Sequence, residues 1–212
     1  MTKGTLGMQK PIIRKFADDE DGVASIELLL CVPILFWALM STFIFFDAFR
    51  AESISTRAGL TIADMFSREE DNVTPAYMDG AQALLQQLTE ADEEPDLRVT
   101  AYQFFENDDT TNSDDEYLVV WSQARGYGDT FDDSTFALIV DRLPSLANGA
   151  VSLLVETRTE YTAPFRMTLN PLTETAVRDV EFNTFTFIAP RPIEVCYQAS
   201  SSSDELCNRI ND

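Results

Sequence analysis

The chain has 212 residues, of which 45% are hydrophobic and 24% are charged, a composition typical of a globular protein with one main folded domain. Its formal net charge of −21 would repel a phosphate backbone, so we expect no nucleic-acid partner. The sequence has no histidine and only three cysteines, which are far apart. This excludes histidine-based catalytic triads, histidine-ligated zinc, four-cysteine zinc sites and iron–sulfur clusters.

The first predicted element is an apolar helix, because no charged residue occurs from Leu28 to Phe46. At ~1.5 Å per residue this run spans about 28 Å as a helix, which is close to the thickness of a bilayer's hydrocarbon core. A buried helix of a soluble protein is the alternative, but such helices rarely stay apolar on every face over five turns. The run therefore predicts a transmembrane helix.

Basic residues on the two sides of this run predict its orientation. Four precede it and two follow closely: Lys3, Lys10, Arg14 and Lys15 against Arg50 and Arg57. We therefore expect the N-terminus in the cytoplasm and the C-terminal body across the membrane. Ten arginines and 30 acidic residues follow Arg50, so nearly all of the negative charge would lie on the translocated side.

A cleaved secretory signal fits this segment poorly. The apolar run exceeds the ~7–15 residues of a signal core, and no A-x-A cleavage site follows it. The pair Leu30-Cys31 suggests a lipoprotein signal, but most of the apolar run comes after Cys31 and no small residue precedes it. We therefore interpret Cys31 as an ordinary side chain at lipid depth.

A different processing site precedes the apolar run. Glu27 is a carboxylate at the edge of the apolar segment, where burial is costly unless the charge is paired. Cleavage after Gly22 would give Val23 a free α-amino group four residues before Glu27. The amine of a neighbouring subunit could then neutralise this carboxylate within the bilayer.

The segment from Gly22 to Pro33, GVASIELLLCVP, resembles the N-terminal motif of TadE-like pseudopilins from tight-adherence (Flp type IVb) pilus systems. The shared features are a basic leader, a glycine followed five residues later by glutamate, a long apolar helix and a proline early in the span. The resemblance implies cleavage between Gly22 and Val23 by a prepilin peptidase, subunit registration by Glu27 and a helix kink at Pro33. It is sharp over residues 14–46 and faint beyond them.

The resemblance also implies a place in the cell and a set of partners. Leu28 stands where major Flp pilins usually carry tyrosine, and residues 23–212 would form an unusually long mature chain, so we expect a minor pilin or pseudopilin. The TadE-like, TadF-like and short TadG-like branches all stay open. The expected partners are sister minor pilins, the major Flp pilin, the prepilin peptidase and the inner-membrane assembly platform. We expect a single-pass protein of the bacterial inner membrane with a periplasmic head, and incorporation into the extracellular pilus stays open.

The rest of the sequence predicts an α+β fold with an antiparallel sheet of about four strands and two or three helices. We divide the chain into a leader (1–22), a transmembrane and stem helix (23–70) and a head (71–212). The stem helix is expected to continue to Phe66 because apolar residues recur with helical spacing. Further helices are predicted from Pro75 to about Leu88 and over Ser134–Leu143, and strands over Leu97–Phe105, Tyr117–Arg125, Val151–Tyr161 and Val180–Ile188.

Two cysteines remain near the C-terminus. On the oxidising, translocated side of the membrane, Cys196 and Cys207 are expected to form a structural disulfide. Closing a loop of this size contributes ~2–3 kcal/mol in the chain-entropy model.

Two acidic clusters suggest a binding function as an alternative. They are Glu106–Glu116 and the group Asp129, Asp132 and Asp133. Neither has the ligand order of an EF-hand, so solvated loops are favoured and no metal or cofactor is expected. No acidic pair is marked as catalytic, and we expect no enzyme activity. A single-pass envelope protein whose acidic head binds calcium or another ligand stays open as the second hypothesis.

Overall fold

The computed structural model describes residues 23–106, 116–162, 168–170, 173–176, 180–191 and 195–198. The predicted leader, 1–22, lies outside this range. The helices are α1 (Val23–Ser67), α2 (Pro75–Thr89) and the short α3 (Asp133–Phe136), which a 3₁₀ helix over Ala137–Arg142 follows directly. The strands are β1 (Asp96–Phe105), β2 (Glu116–Arg125), β3 (Val151–Tyr161), β4 (Thr168–Asn170), β5 (Thr173–Ala176) and β6 (Val180–Ile188).

The chain divides into two compact units, and the boundary falls inside α1, between Phe46 and Asp47. Residues from Asp47 onward, which we call the C-terminal unit, contain the second part of α1 together with every other described element. The predicted continuation of α1 to Phe66 is confirmed, since the helix ends at Ser67.

The C-terminal unit is built on a four-stranded antiparallel sheet in the order β2-β1-β3-β6, which confirms the predicted α+β class. All four predicted strands are present. A register shift in β2 pairs Ala101 with Trp121 and Tyr102 with Val119. Val120 is therefore an extra residue, as in a β-bulge. Both Val120 and Trp121 contribute to the core on the face that α1 and α2 cover.

Helices α1 and α2 pack on one face of the sheet. The second part of α1 contributes Ala58, Ile62 and Phe66, which are spaced four residues apart and are at most 3% exposed. This spacing puts them on one side of the helix. Other members of this core include Val73, Met78, Ala81 and Leu85 beside Leu97, Val99, Leu153 and Val155 of the sheet.

The opposite face of the sheet carries a smaller apolar cluster and two ion pairs that join β1 to β3. Tyr102 and Leu154 are fully buried there beneath Phe136 of α3. Farther along the same strands, Arg98 donates to Glu156 at 2.7 Å, and both side chains are less than 15% exposed. A charge of this kind is tolerated at such low exposure because its partner is present.

The third helix differs from its prediction. A helix was expected over Ser134–Leu143, but only Asp133–Phe136 is α-helical and the chain then tightens into a 3₁₀ turn. Phe136 is buried and Ile139, three residues later, packs against the same cluster, whereas Leu138 is 83% exposed. A spacing of three residues matches the three residues per turn of a 3₁₀ helix, so the tighter helix still presents apolar side chains to the sheet. The antiparallel pair of β4 and β5 was not predicted. Strands of three and four residues are too short to show an alternation of apolar and polar side chains.

The space around two glycines, Gly59 in α1 and Gly80 in α2, shows how closely α1 packs on the sheet. A Cβ atom at Gly59 would lie 2.6 Å from Oγ1 of Thr184 in β6, whereas a Cβ at Gly80 in α2 would meet nothing within 4 Å. Thr184 is not free to rotate away without cost, because its hydroxyl is hydrogen-bonded to that of Thr157 at 2.6 Å.

We therefore predict opposite effects from two glycine-to-alanine substitutions. Gly80→Ala should raise the free energy of unfolding by up to about 1 kcal/mol, because alanine favours the helix. Gly59→Ala should lower it by about 1–2 kcal/mol, because overpacking outweighs the same helical gain. Thermal unfolding of the full chain in detergent, followed by near-ultraviolet circular dichroism, measures both. An equal upward shift for the two variants would contradict the close packing.

Candidate functional site

Glu27 lies on the second turn of α1, where its side chain is exposed. Residues three, four and seven positions further on share its side of a helix. These are Leu30, Cys31 and Ile34, all exposed and all without charge. The carboxylate therefore stands at one end of an otherwise apolar helix face.

The apolar character extends to every side of the helix up to Phe46. Large side chains that point in different directions are well exposed, among them Leu29 at 72%, Ile34 at 68% and Phe46 at 72%. A helix of the described chain is thus long and apolar enough to cross a membrane. Its exposed side chains distinguish this segment from the core helix of a soluble domain, where the same residues would be buried.

Pro33 and Thr42 show how α1 satisfies its backbone and polar groups. The helix continues through Pro33, which has no N–H to donate to the carbonyl of Leu29. The hydroxyl of Thr42 donates to the carbonyl of Ala38 at 2.8 Å, so this polar group has a partner within the helix. Glu27 and Pro33 are six residues apart, which places them on different sides of the helix.

The processing site itself lies at the border of the described chain. Gly22 is outside the described residues, and α1 is described from Val23 onward. Cleavage between these two residues therefore stays a prediction from the sequence motif.

A pocket of about 210 Å³ opens in the C-terminal unit beside the first turns of α1 that follow the apolar run. Its wall combines α1, the end of α2, the end of β3 and the start of β6. The charged residues that line it are Asp47, Arg50, Glu90, Asp92 and Glu160. Ser55 and Thr159 also line it, and their buried hydroxyls are hydrogen-bonded to each other at 2.8 Å.

Sequence reasoning missed this pocket. Its residues come from distant parts of the chain, so no local pattern marks them. The interaction of Asp47 with Tyr161, for example, joins residues that are 114 positions apart. Arg50 contributed only to the predicted orientation of the apolar helix. The phenol of Tyr161 donates to Oδ2 of Asp47 at 2.5 Å. Burial, the hydrogen bond to Asp47 and the charge of that carboxylate, in this order of size, together raise the pKa of Tyr161 to about 12.

The second predicted acidic cluster has structural roles where it is described. Asp132 accepts the backbone N–H of Thr135 at 2.7 Å and caps α3, and Oδ1 of Asp133 accepts the N–H of Val119 at 2.8 Å. Hydrogen bonds from Ser134 and Thr135 lower the pKa of Asp132 to about 2. Within the described ranges, no group of three or more carboxylates or cysteines is arranged to hold a metal ion. Most of the Glu106–Glu116 cluster lies outside those ranges.

The segment that contains Cys196 is fixed against the core. The backbone N–H of Val73 donates to the carbonyl of Cys196 at 2.8 Å, and the indole of Trp121 donates to the carbonyl of Val195 at 2.7 Å. Cys196 is disulfide-bonded. Cys207 lies outside the described residues, so the pairing of these two cysteines stays a prediction.

No protein-family model, curated protein or solved structure matches this chain.

We predict that Asp47→Asn lowers the pKa of Tyr161 from about 12 but leaves it above the ordinary value of 10.0, because burial is the larger cause. Since the pKa is raised on folding, the contribution of Tyr161 to stability is complete below about pH 10 and is lost as the pH rises towards 12. The measurement is the ultraviolet absorbance of tyrosinate against pH, with Tyr161→Phe subtracted. A difference curve centred at the ordinary value would contradict the interaction.

Proposed function

We propose that this chain is a membrane-anchored minor pilin or pseudopilin, of the TadE-like kind, that helps to assemble a tight-adherence (Flp type IVb) pilus of a bacterium and so contributes to cell adhesion. The observation that carries the proposal is the single carboxylate of Glu27 at one end of the part of α1 before Asp47, which is otherwise uncharged, is largely exposed and is long enough to span a bilayer. A plain membrane anchor has no need of a charge at this position, since burying it in lipid is costly.

The proposed mechanism uses the pairing of that charge. After a prepilin peptidase removes residues 1–22, the α-amine of Val23 on one subunit neutralises Glu27 on a neighbour within the bilayer. Misregistered helices leave both charges unpaired in lipid, so only one alignment of the helices is stable. The assembly platform then extracts the registered subunits, together with sister minor pilins or the major pilin.

Two features of α1 support lateral packing through this helix. Nearly all of its apolar side chains before Asp47 are exposed, with Ile44 as a buried exception, so they can contact lipid or another helix. The C-terminal unit is acidic and holds its own core, and it is expected on the periplasmic side as the head that this helix anchors.

We predict that the protein extracted from membranes lacks residues 1–22 and begins at Val23. Gly22→Leu should retain the full-length precursor in the membrane, because the bulky side chain replaces the small residue before the cut. Intact mass spectrometry of the wild type and the variant measures this, with Gly4→Leu, within the leader, as the matched control that should still be shortened. A wild-type mass that includes Lys3 and Lys10 would favour the alternative, an uncleaved envelope protein with an acidic ligand-binding head.

A second prediction concerns Glu27. Glu27→Ala should leave membrane insertion and cleavage intact but reduce the number of pili at least about tenfold, as expected when a contact worth about 1.4 kcal/mol is lost. Glu27→Gln should behave like Glu27→Ala because it keeps the shape but not the charge.

Electron microscopy of cells and immunoblots of membrane fractions provide the two readouts for these variants. Ser25→Ala, an exposed position on the same part of the helix, is the control and should leave piliation unchanged. Normal pili in Glu27→Ala would refute the pairing role.

A further inference from the structure

Strand β6 forms one edge of the four-stranded sheet, and β2 forms the other. In an antiparallel ladder, the backbone N–H and C=O groups of successive residues point alternately to the two neighbouring strands. The residues of β6 that point outward therefore follow from one hydrogen bond and the pairing register. The N–H of Phe104 donates to the carbonyl of Ala150 at 3.1 Å, so Ala150 and every second residue along β3 point to β1.

The other residues of β3, from Leu153 to Tyr161 in steps of two, point to β6. Their partners in β6 are the even-numbered residues, so the odd-numbered residues direct their backbone groups away from the sheet. These outward-facing residues are Glu181, Asn183, Phe185 and Phe187. Within the residues that the structure describes, their outward N–H and C=O groups have no hydrogen-bond partner.

The opposite edge of the sheet, along β2, is closed by contacts within the chain. Tyr102 points its backbone to β3, so Val119, its neighbour in β2, directs its own backbone outward. The N–H of Val119 donates to Oδ1 of Asp133 at 2.8 Å, which agrees with this alternation and occupies the edge. The N–H of Phe131 donates to the hydroxyl of Ser122 at 3.0 Å and holds the following loop beside the same strand. The two edges of the sheet therefore differ.

β6 lacks the features that keep edge strands from pairing with other chains. Such strands are commonly protected by proline, by lysine, by a β-bulge or by being very short. β6 has nine residues with no proline, lysine or arginine among them, and it pairs with β3 over nine consecutive residues without a register shift. An edge of this kind is suited to strand addition, in which an extended segment of another chain continues the sheet.

The side chains of β6 define the chemistry of the segment that fits. Glu181 lies directly opposite Glu160 of β3, and both side chains are exposed. Like charges directly opposite each other destabilise a sheet, so a basic residue beside Glu181 would offset this repulsion. On the same face, Phe185 and Phe187 are half-buried with ring centroids 4.9 Å apart, and an apolar residue beside each would cover them.

We propose that the outer edge of β6 binds an extended segment of a partner protein as an additional antiparallel strand. The segment carries apolar side chains opposite Phe185 and Phe187 and, toward its C-terminal end, a lysine or arginine opposite Glu181. A second copy of β6 does not fit this description, because β6 has no basic residue to place opposite Glu181. Every residue in the argument lies in the C-terminal unit, so the inference does not rest on a membrane span.

The test measures the binding of fluorescent peptides to the full chain in mild detergent by fluorescence anisotropy. The probe has the same length as β6, with valine at its second and fourth positions, lysine at its eighth and threonine elsewhere. In antiparallel pairing these three positions lie opposite Phe187, Phe185 and Glu181. Replacing the lysine by glutamate, or reversing the order of the peptide's residues, should weaken binding about fivefold, which corresponds to about 1 kcal/mol.

Proline at an outward-facing position separates the edge from the fold. Asn183→Pro removes an N–H that does not point to β3, so the sheet is retained while the edge is blocked. This variant should bind the lysine peptide at least about tenfold more weakly, whereas Asn183→Ala, which keeps the N–H, should bind it like the wild type. Near-ultraviolet circular dichroism checks that both variants are folded. Equal binding by the wild type and a folded Asn183→Pro would overturn the proposal.

A charge exchange keeps the test decisive if the proline variant does not fold. Glu181→Lys should prefer the glutamate peptide to the lysine peptide, because the favourable pair is restored with opposite signs. An unchanged preference for the lysine peptide would refute the proposal. Sedimentation without peptide tests the other occupant. A wild-type dimer that Asn183→Pro abolishes would show that a second copy occupies this edge, and it would overturn the choice of a basic segment.

Discussion

The structure depends on one helix whose two parts differ in the side chains they carry. Up to Phe46, α1 carries apolar side chains on every side and no charge other than Glu27, so this part is long and apolar enough to cross a membrane. From Asp47 the same helix becomes amphipathic, and Ile62 and Phe66 are completely buried in a core that the sheet shares. The second part of α1 is therefore a core element of the C-terminal unit.

The C-terminal unit closes around the end of this helix through hydrogen bonds that are distant in sequence. The carbonyl of Ser67, at the last position of α1, accepts the N–H of Arg191 at 2.8 Å, and Val73 forms a parallel bridge with Tyr197. The final carbonyls of a helix need partners from outside it. Here the segment after β6 supplies one of them, and the disulfide at Cys196 constrains this segment further.

The predictable parts of the molecule are those with a local signal. The four sheet strands were found because alternation and β-branched residues identify a half-buried strand, and the α1 span because charge is absent from it. The prediction of an α-helix after Ser134 was wrong in its second part, since propensity does not reveal that Phe136 and Ile139 pack on the same cluster with the spacing of a 3₁₀ helix. The pocket was missed because its parts meet only through tertiary structure, as Asp47 and Tyr161 do. Glu27 was proposed from a contiguous motif, and its role stays a prediction.

The distribution of ion pairs differs between the sheet and α1. In an acidic protein each cation is drawn toward carboxylates, and in the sheet Arg98 and Arg158 are indeed paired across β1 and β3. Within the described residues, no such pair involves Arg50 or Arg57 of α1, and both side chains are exposed. Water can solvate these two charges, whereas Arg98 is nearly buried and depends on Glu156 for its stabilisation. The ion pairs therefore stabilise the sheet, and the second part of α1 is held to it by apolar contacts instead.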